Sequence, residues 1–191
     1  MSKAFYPAQM FIRSFHTSKP LFLFGGVIKE GATLPNHTLF EHDAKTKINT
    51  KDLFKGKKSI LFGVPGAFTP GCSKTHLPGY INQANDFRQL GYDQLVCVTV
   101  NDPYVSSAWA KEHRAEGKVK VLADPKGEFT KALGLTKDMT EQLGNVRSSR
   151  YAMVINDNKV EKVLPEPDGA GLTCSLAENV IGEIKKGNFH K

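Results

Sequence analysis

Ile60-Leu61-Phe62-Gly63-Val64-Pro65-Gly66-Ala67-Phe68-Thr69-Pro70-Gly71-Cys72 is the stretch that decides how this 191-residue chain folds. Its first five residues form an apolar run that reads as a buried strand. Pro65, Gly66, Pro70 and Gly71 then punctuate the chain, so the strand must break sharply and a helix must begin near Cys72. Ser73 to Leu90 supplies a sequence able to wind as that helix. A cysteine in a first helical turn faces unpaired backbone N–H groups and the positive end of the helix dipole. Both favour the thiolate, which is the nucleophilic form. Cysteine elsewhere is often a small buried hydrophobe. A Gly/Pro-rich strand-to-helix join is a poor place for that role, and Cys72 reads as a reactive thiol.

The dipole is not enough by itself. A free cysteine titrates near ~8.5 and is only a few per cent thiolate at neutral pH. A helix end contributes typically about 0.3–1 kcal/mol, less than the 1.36 kcal/mol of a single pKa unit. An activated thiol therefore needs a cation and a hydroxyl close to its sulfur. Thr69, three residues before Cys72, is placed to cap the helix and lie near the sulfur. The local sequence does not name the cation.

Outward from this join, the sequence alternates strands and helices. Thr38–His42 and Lys47–Asn49 suggest an opening hairpin after Gly31-Ala-Thr-Leu-Pro35. Strands are expected at Ser59–Val64, Leu95–Val100, Val119–Ala123, Tyr151–Asn156 and Lys159–Val163, the last two flanking the turn pair Asp157-Asn158. Helices are expected at Ser73–Leu90, Tyr104–Ala115, Glu128–Leu133 and Ser175–Ile184, the last opened by Ser175-x-x-Glu178 as a capping box. Strands separated by helices imply right-handed crossovers and a parallel centre, and the closing hairpin adds antiparallel strands. The class is α/β with a mixed central sheet flanked by helices. Periodicity alone permits either a thioredoxin-like or a flavodoxin-like arrangement.

Length and composition, 40% hydrophobic and 24% charged, suit one globular domain with a full core. The net charge of +7 is unevenly spread: Lys3, Arg13, Lys19 and Lys29 all precede the first acid, Glu30. No basic, aromatic-interleaved patch supports nucleic-acid binding. The acid-free start, with spaced cations and Ser2, Ser14, Thr17 and Ser18, has the traits of an organelle transit peptide. Arg13-Ser-Phe-His-Thr-Ser resembles a mitochondrial processing site. Residues 1–27 are therefore expected to be a mitochondrial targeting leader and 28–191 the folded domain. The run Leu21-Phe22-Leu23-Phe24 is too short for a membrane span. Cys72, Cys97 and Cys174 are too few for a secreted disulfide scaffold, and in a reducing compartment a bond between two of them would be transient and catalytic. His76, four residues after Cys72, shares a helix face with it. No sequence pairing of ligands supports a zinc site, so His76 is assigned a local structural or electrostatic role.

Pro65-Gly-Ala-Phe-Thr69-Pro-Gly-Cys72-Ser-Lys-Thr-His76-Leu-Pro resembles the active-site loop of peroxiredoxins, specifically the peroxiredoxin-5 type, grouped with the plant type II enzymes. The resemblance runs from about Ile28 to Ile184 and takes in Val100-Asn101-Asp102, Leu122-Ala123-Asp124-Pro125, Arg150-Tyr-Ala-Met153 and Glu166-Pro-Asp168-Gly-Ala-Gly-Leu-Thr-Cys174-Ser-Leu. It implies the thioredoxin-like fold and an atypical two-cysteine thiol peroxidase of the mitochondrial matrix, with the cytoplasm as a second location. By the same resemblance Cys72 is the peroxidatic cysteine and Thr69 orients the peroxide. Pro65 shields the sulfur, and Arg150 supplies the missing cation. Cys174, in a loop read as flexible and exposed, matches the resolving cysteine. Cys97 lies among Leu95, Val96, Val98 and Val100 in a strand read as buried, yet its spacing from Cys72 resembles that of the second cysteine in plant type II enzymes. The expected substrates are hydrogen peroxide, alkyl hydroperoxides and peroxynitrite, with thioredoxin as reductant and a homodimer as the assembly. No metal, haem or flavin is called for. The competing readings are recycling by glutathione or glutaredoxin, and a peroxide sensor that relays oxidation to a partner.

Overall fold

A computed structural model describes residues 26–187. Almost all of the expected leader therefore lies outside the described residues. The strands are β1 Thr38–Phe40, β2 Lys47–Asn49, β3 Lys58–Val64, β4 Gln94–Thr99, β5 Lys120–Ala123, β6 Thr136–Met139, β7 Asn145–Ser148, β8 Tyr151–Asn156 and β9 Lys159–Pro165. Seven of them form one sheet in the order β2-β1-β5-β4-β3-β8-β9. The centre, β3, β4 and β5, is parallel. β8 and β9 add antiparallel strands on one side, and β1 and β2 do so on the other. A flavodoxin-like sheet would be parallel throughout, so the mixed, thioredoxin-like arrangement is the one adopted.

β3 shows how the sequence builds two layers on this sheet. Its side chains alternate between faces, as strand geometry requires. Ile60, Phe62 and Val64 enter one core with Cys72, Tyr80, Phe87, Cys97 and Trp109. Leu61 enters the other with Leu39, Phe54, Val96, Leu122, Phe129 and Met153. With both faces covered, the run is apolar without a polar partner at every second place. Gly63 occupies the second face, where an added Cβ would stand 2.1 Å from Tyr151 Cε1. No larger residue fits there without displacing that ring.

The helices are α1 Thr50–Phe54, α2 Leu77–Asn82, α3 Ala84–Gln89, α4 Pro103–Glu112, α5 Glu128–Ala132, α6 Thr140–Leu143 and α7 Ala177–Lys185. Three expectations need correcting. The single helix over Ser73–Leu90 is instead a π-type turn over Cys72–His76, then α2, then α3 after a break at Gln83. The Leu77 N–H reaches five residues back to the Cys72 carbonyl. The widened turn precedes Pro78, which has no N–H to offer the helix. The capping box also fails: Leu176 is the N-cap of α7 and makes no side-chain cap bond. The Ser175 hydroxyl bonds the Glu166 carboxylate instead. Finally, the hairpin of β6 and β7, bridged by α6, lay in a polar segment without strand periodicity and was not anticipated. The β8–β9 hairpin does turn on Asp157 and Asn158, both at positive φ, as a tight turn of that type requires.

Candidate active site

The site forms where β3 ends and the next helix begins. Pro65 and Gly66 follow the strand, both buried, and the helical run starts at Pro70. Asn101, just beyond β4, fixes the loop between them. Its Oδ1 accepts from the Ala67 N–H at 3.0 Å and from the Thr99 hydroxyl at 2.6 Å. Phe68 at the loop's tip has φ 62° and is 48% exposed. A bulky residue in the left-handed region is uncommon and strained, and here it turns an aromatic ring outward beside the site. Cys72 follows in the first turn, with no exposed surface.

Thr69 does not cap that helix as expected. Its hydroxyl donates to the Gly66 carbonyl at 2.9 Å, and its own carbonyl accepts from the Ser73 N–H. The side chain therefore braces the loop.

Arg150 supplies the cation. It sits just before β8, 4% exposed, and its Nη1 lies 3.4 Å from the Cys72 sulfur. The backbone of the segment after β9 holds it: Nε donates to the Ala170 carbonyl at 3.1 Å, and its N–H donates to the Gly169 carbonyl at 2.8 Å. Gly71 leaves room for the guanidinium, because a Cβ there would lie 3.2 Å from Nη2. Among the described residues, none of the ion pairs within 4.0 Å involves Arg150. A buried cation without a carboxylate is costly, and the Cys72 sulfur is the group that faces it.

His76 lies 3.2 Å from the same Nη1 through Nδ1, and its Nε2 lies 3.0 Å from the Ser175 carbonyl. Since guanidinium and carbonyl are respectively donor and acceptor only, the ring must carry its proton on Nε2. Burial first, and then the Arg150 charge, push the imidazole down to about 4, so it is neutral at physiological pH. That excludes an imidazolium and leaves the ring as a hydrogen-bonded bridge between Arg150 and the Ser175 carbonyl, the structural side of the role read from sequence. The Tyr80 hydroxyl donates to the same Ser175 carbonyl at 2.7 Å, and Phe62 stacks on Tyr80 with ring centroids 3.9 Å apart.

Cys174 is not in a loose loop. It is half-buried, and its thiol donates to the Pro165 carbonyl at 3.3 Å. The residues on either side are tied to Glu166. Glu166 Oε1 accepts from the Thr173 N–H at 2.7 Å, the Ser175 N–H at 3.0 Å and the Ser175 hydroxyl at 2.6 Å, and Oε2 accepts from the Thr173 hydroxyl. Burial pushes this carboxyl up, but the bonds from Ser175 and Thr173 together outweigh it and hold it below the usual range. For Cys174, burial and the nearby Glu166 charge push the thiol up. Cys97 lies within β4, fully buried, and burial above all pushes its thiol well up. The strand reading of Cys97 holds.

Sequence reasoning attached no role to Asn101 or Glu166 and gave Ser175 only a helix-capping one, although all three fall in blocks that carry the family resemblance. For Glu166 a signal was present. A lone acid between Pro165 and Pro167, followed at seven and nine residues by Thr173 and Ser175, is an acceptor facing clustered donors.

The Redoxin family matches residues 29–181, most of the chain. The chain belongs to the peroxiredoxins. The rice peroxiredoxin-2C is 44% identical over 154 residues, spanning 79% of this chain and 94% of the relative. Among solved structures, the reduced Prx3 of Vibrio vulnificus in complex with hydrogen peroxide is 42% identical with a TM-score of 0.77, covering 82% of this chain and 99% of that one. Peroxiredoxin 5 of Alvinella pompejana is 41% identical with a TM-score of 0.74, covering 83% and 99%. As a peroxiredoxin of the peroxiredoxin-5 type, this protein is a thiol-dependent peroxidase, an oxidoreductase acting on peroxides. No helix among the described residues is long and apolar enough to cross a membrane.

Proposed function

We propose that this peroxiredoxin reduces hydroperoxides at Cys72, resolves the product with Cys174 of the same chain, and is recycled by thioredoxin. The observation that carries the reading is the 3.4 Å approach of Arg150 to the buried Cys72 sulfur. The thiolate attacks the terminal-side peroxide oxygen and the O–O bond breaks. Its electron pair leaves with the departing oxygen, which takes a proton to become an alcohol or water. Cys72 is left as a sulfenic acid. Arg150 stabilises both the thiolate and the charge that develops on the leaving oxygen. Thr69 orients the peroxide, and Pro65 keeps water from the sulfur. The Cys174 sulfur then bonds to the Cys72 sulfur as water leaves, and a thioredoxin dithiol reduces the disulfide.

Hydrogen peroxide as a substrate is supported by the Vibrio vulnificus relative solved with it. The outward Phe68 ring supports alkyl hydroperoxides as well and offers an apolar contact for a homodimer. Peroxynitrite belongs to the same chemistry. The acid-free residues 1–27 support a mitochondrial leader and a matrix location, with 28–191 as the peroxidase domain. A second reading is recycling of Cys72 by glutathione or glutaredoxin, or relay of its oxidation to a partner. The tied-down Cys174 favours it, because a slow resolving thiol leaves the sulfenic acid open to others.

Non-reducing peptide mass spectrometry after one equivalent of peroxide tests the proposal. A Cys72–Cys174 bond within one chain is expected, together with turnover when thioredoxin is added. A lasting sulfenic acid, or a bond from Cys72 to Cys97, would move the assignment to the second reading.

A further inference from the structure

Resting on the Cys72–Cys174 cycle proposed above, we infer that Glu166 is a positioning residue for resolution: its carboxylate latches the Cys174 segment closed and sets how fast Cys174 reaches the sulfenic acid.

Four bonds from Thr173 and Ser175 converge on this one side chain, and those two residues bracket Cys174. Glu166 itself is 3% exposed, and its N–H donates to the Arg150 carbonyl at 3.0 Å. The latch is thus mounted on the backbone of the residue that touches the Cys72 sulfur. Bonds to an ionised carboxylate are about twice as strong as neutral ones. The thiol between them points to the Pro165 carbonyl, while Cys72 lies fully buried beside Arg150 and His76.

The same segment also supports the thiolate. The Ser175 carbonyl takes the His76 and Tyr80 hydrogens, and His76 in turn accepts from the Arg150 group that contacts the sulfur. With the latch closed, Arg150 is held toward Cys72 and peroxide is consumed. For resolution, Thr173–Ser175 must leave Glu166, and that departure removes the carbonyl that fixes His76. Closed and open forms therefore serve different halves of the cycle. The balance between them is set by how strongly the closed form is held. The chemistry of the second half is unchanged: the Cys174 sulfur bonds to the Cys72 sulfur, the sulfenic oxygen leaves as water, and the thiol proton goes with it.

The test is single-turnover stopped flow with hydrogen peroxide, read by the fluorescence of Trp109. This is the only tryptophan, and its Nε1 donates to the Ser73 hydroxyl next to Cys72. The resolution phase is the peroxide-independent one that disappears in Cys174→Ser. Glu166→Ala is expected to speed that phase by about tenfold, as loss of charge-assisted bonds from the closed form requires. Glu166→Gln, which keeps shape but not charge, is expected to fall between Glu166→Ala and the parent. Ser175→Ala should give a smaller rise, and it carries the test with Glu166→Gln if circular dichroism shows Glu166→Ala unfolded. A merely structural role would slow both phases together. Resolution that is unchanged or slower in these variants, with the disulfide still forming in the parent, overturns the latch alone. Absence of the Cys72–Cys174 disulfide in the parent overturns the proposed cycle beneath it.

Discussion

Cys72 and Cys174 sit in surroundings of opposite sign. Cys72 is fully buried in the first turn of a helix, against a guanidinium with no carboxylate partner among the described residues. Cys174 is half-buried in a connecting segment whose two neighbours hold a carboxylate. The first setting puts a cation against the sulfur, and in the second burial and the Glu166 charge push the thiol up. Burial alone predicts neither, since the more buried sulfur is the one given a cation. A third sulfur, Cys97, shows burial outweighing charge: it is a small core residue of β4 whose thiol is pushed well up by burial although the Arg150 cation pulls the other way. Two equal thiols thus meet different surroundings through the groups folded against them, which suits the nucleophile and resolving roles proposed for them.

The largest expected effect erases the contrast at its source. Arg150→Gln removes the charge facing Cys72 and should lower the second-order rate constant for hydrogen peroxide by about 10²–10³-fold, the usual loss when an electrostatic stabiliser is deleted. Arg150→Lys should recover part of it; stopped-flow kinetics on both variants are the check. Next, Cys174→Ser removes the thiol proposed to resolve the sulfenic acid. Thioredoxin-coupled turnover should drop to background while a dimedone-reactive sulfenic acid accumulates on Cys72, visible by intact-mass spectrometry.

Acid sharpens the comparison from the side of His76. The imidazole is depressed from 6.5 to about 4 in the fold, so the unfolded chain takes up its proton first as pH falls. Stability from this group is intact above pH 6.5 and lost progressively down to pH 4. The loss should be on the order of 3 kcal/mol, measured as the difference between wild type and His76→Gln in urea unfolding across that window. Glu166, held below its ordinary value of 4.5, contributes its own loss only at lower pH. The smallest effect is at Cys97. Cys97→Ala should cost about 1 kcal/mol from the small cavity and leave peroxide kinetics unaltered, which calorimetry and stopped flow would show together.

Much of this arrangement was legible in the chain, because periodicity and punctuation act locally. The apolar run into Pro65 and Gly66 placed β3 and a helix start near Cys72, which the fold sets at Pro70. Asp157-Asn158 placed the last hairpin. Arg150 was different, since nothing local marks it. It became a candidate only through the family resemblance, and its contact with Cys72 spans 78 residues of sequence. The errors share a cause. Ser175-x-x-Glu178 and Thr69 both carry the local chemistry of a helix cap, but competing acceptors, the Glu166 carboxylate and the Gly66 carbonyl, took their hydroxyls. The Gly-rich segment before Cys174 read as loose for the same reason: glycine content reports backbone freedom and says nothing of a carboxylate arriving from seven residues away.

The most direct test of the contrast between the two cysteines is the order in which they are oxidised. Wild-type protein would be mixed with substoichiometric hydrogen peroxide, quenched in acid at millisecond intervals and alkylated under denaturing conditions. Free thiol would then be counted at each site by mass spectrometry. The account predicts that Cys72 is lost first, at a rate proportional to peroxide, that Cys174 follows at a rate independent of peroxide, and that Cys97 remains free. Early loss of Cys174 or Cys97, at a rate that tracks peroxide, would contradict it.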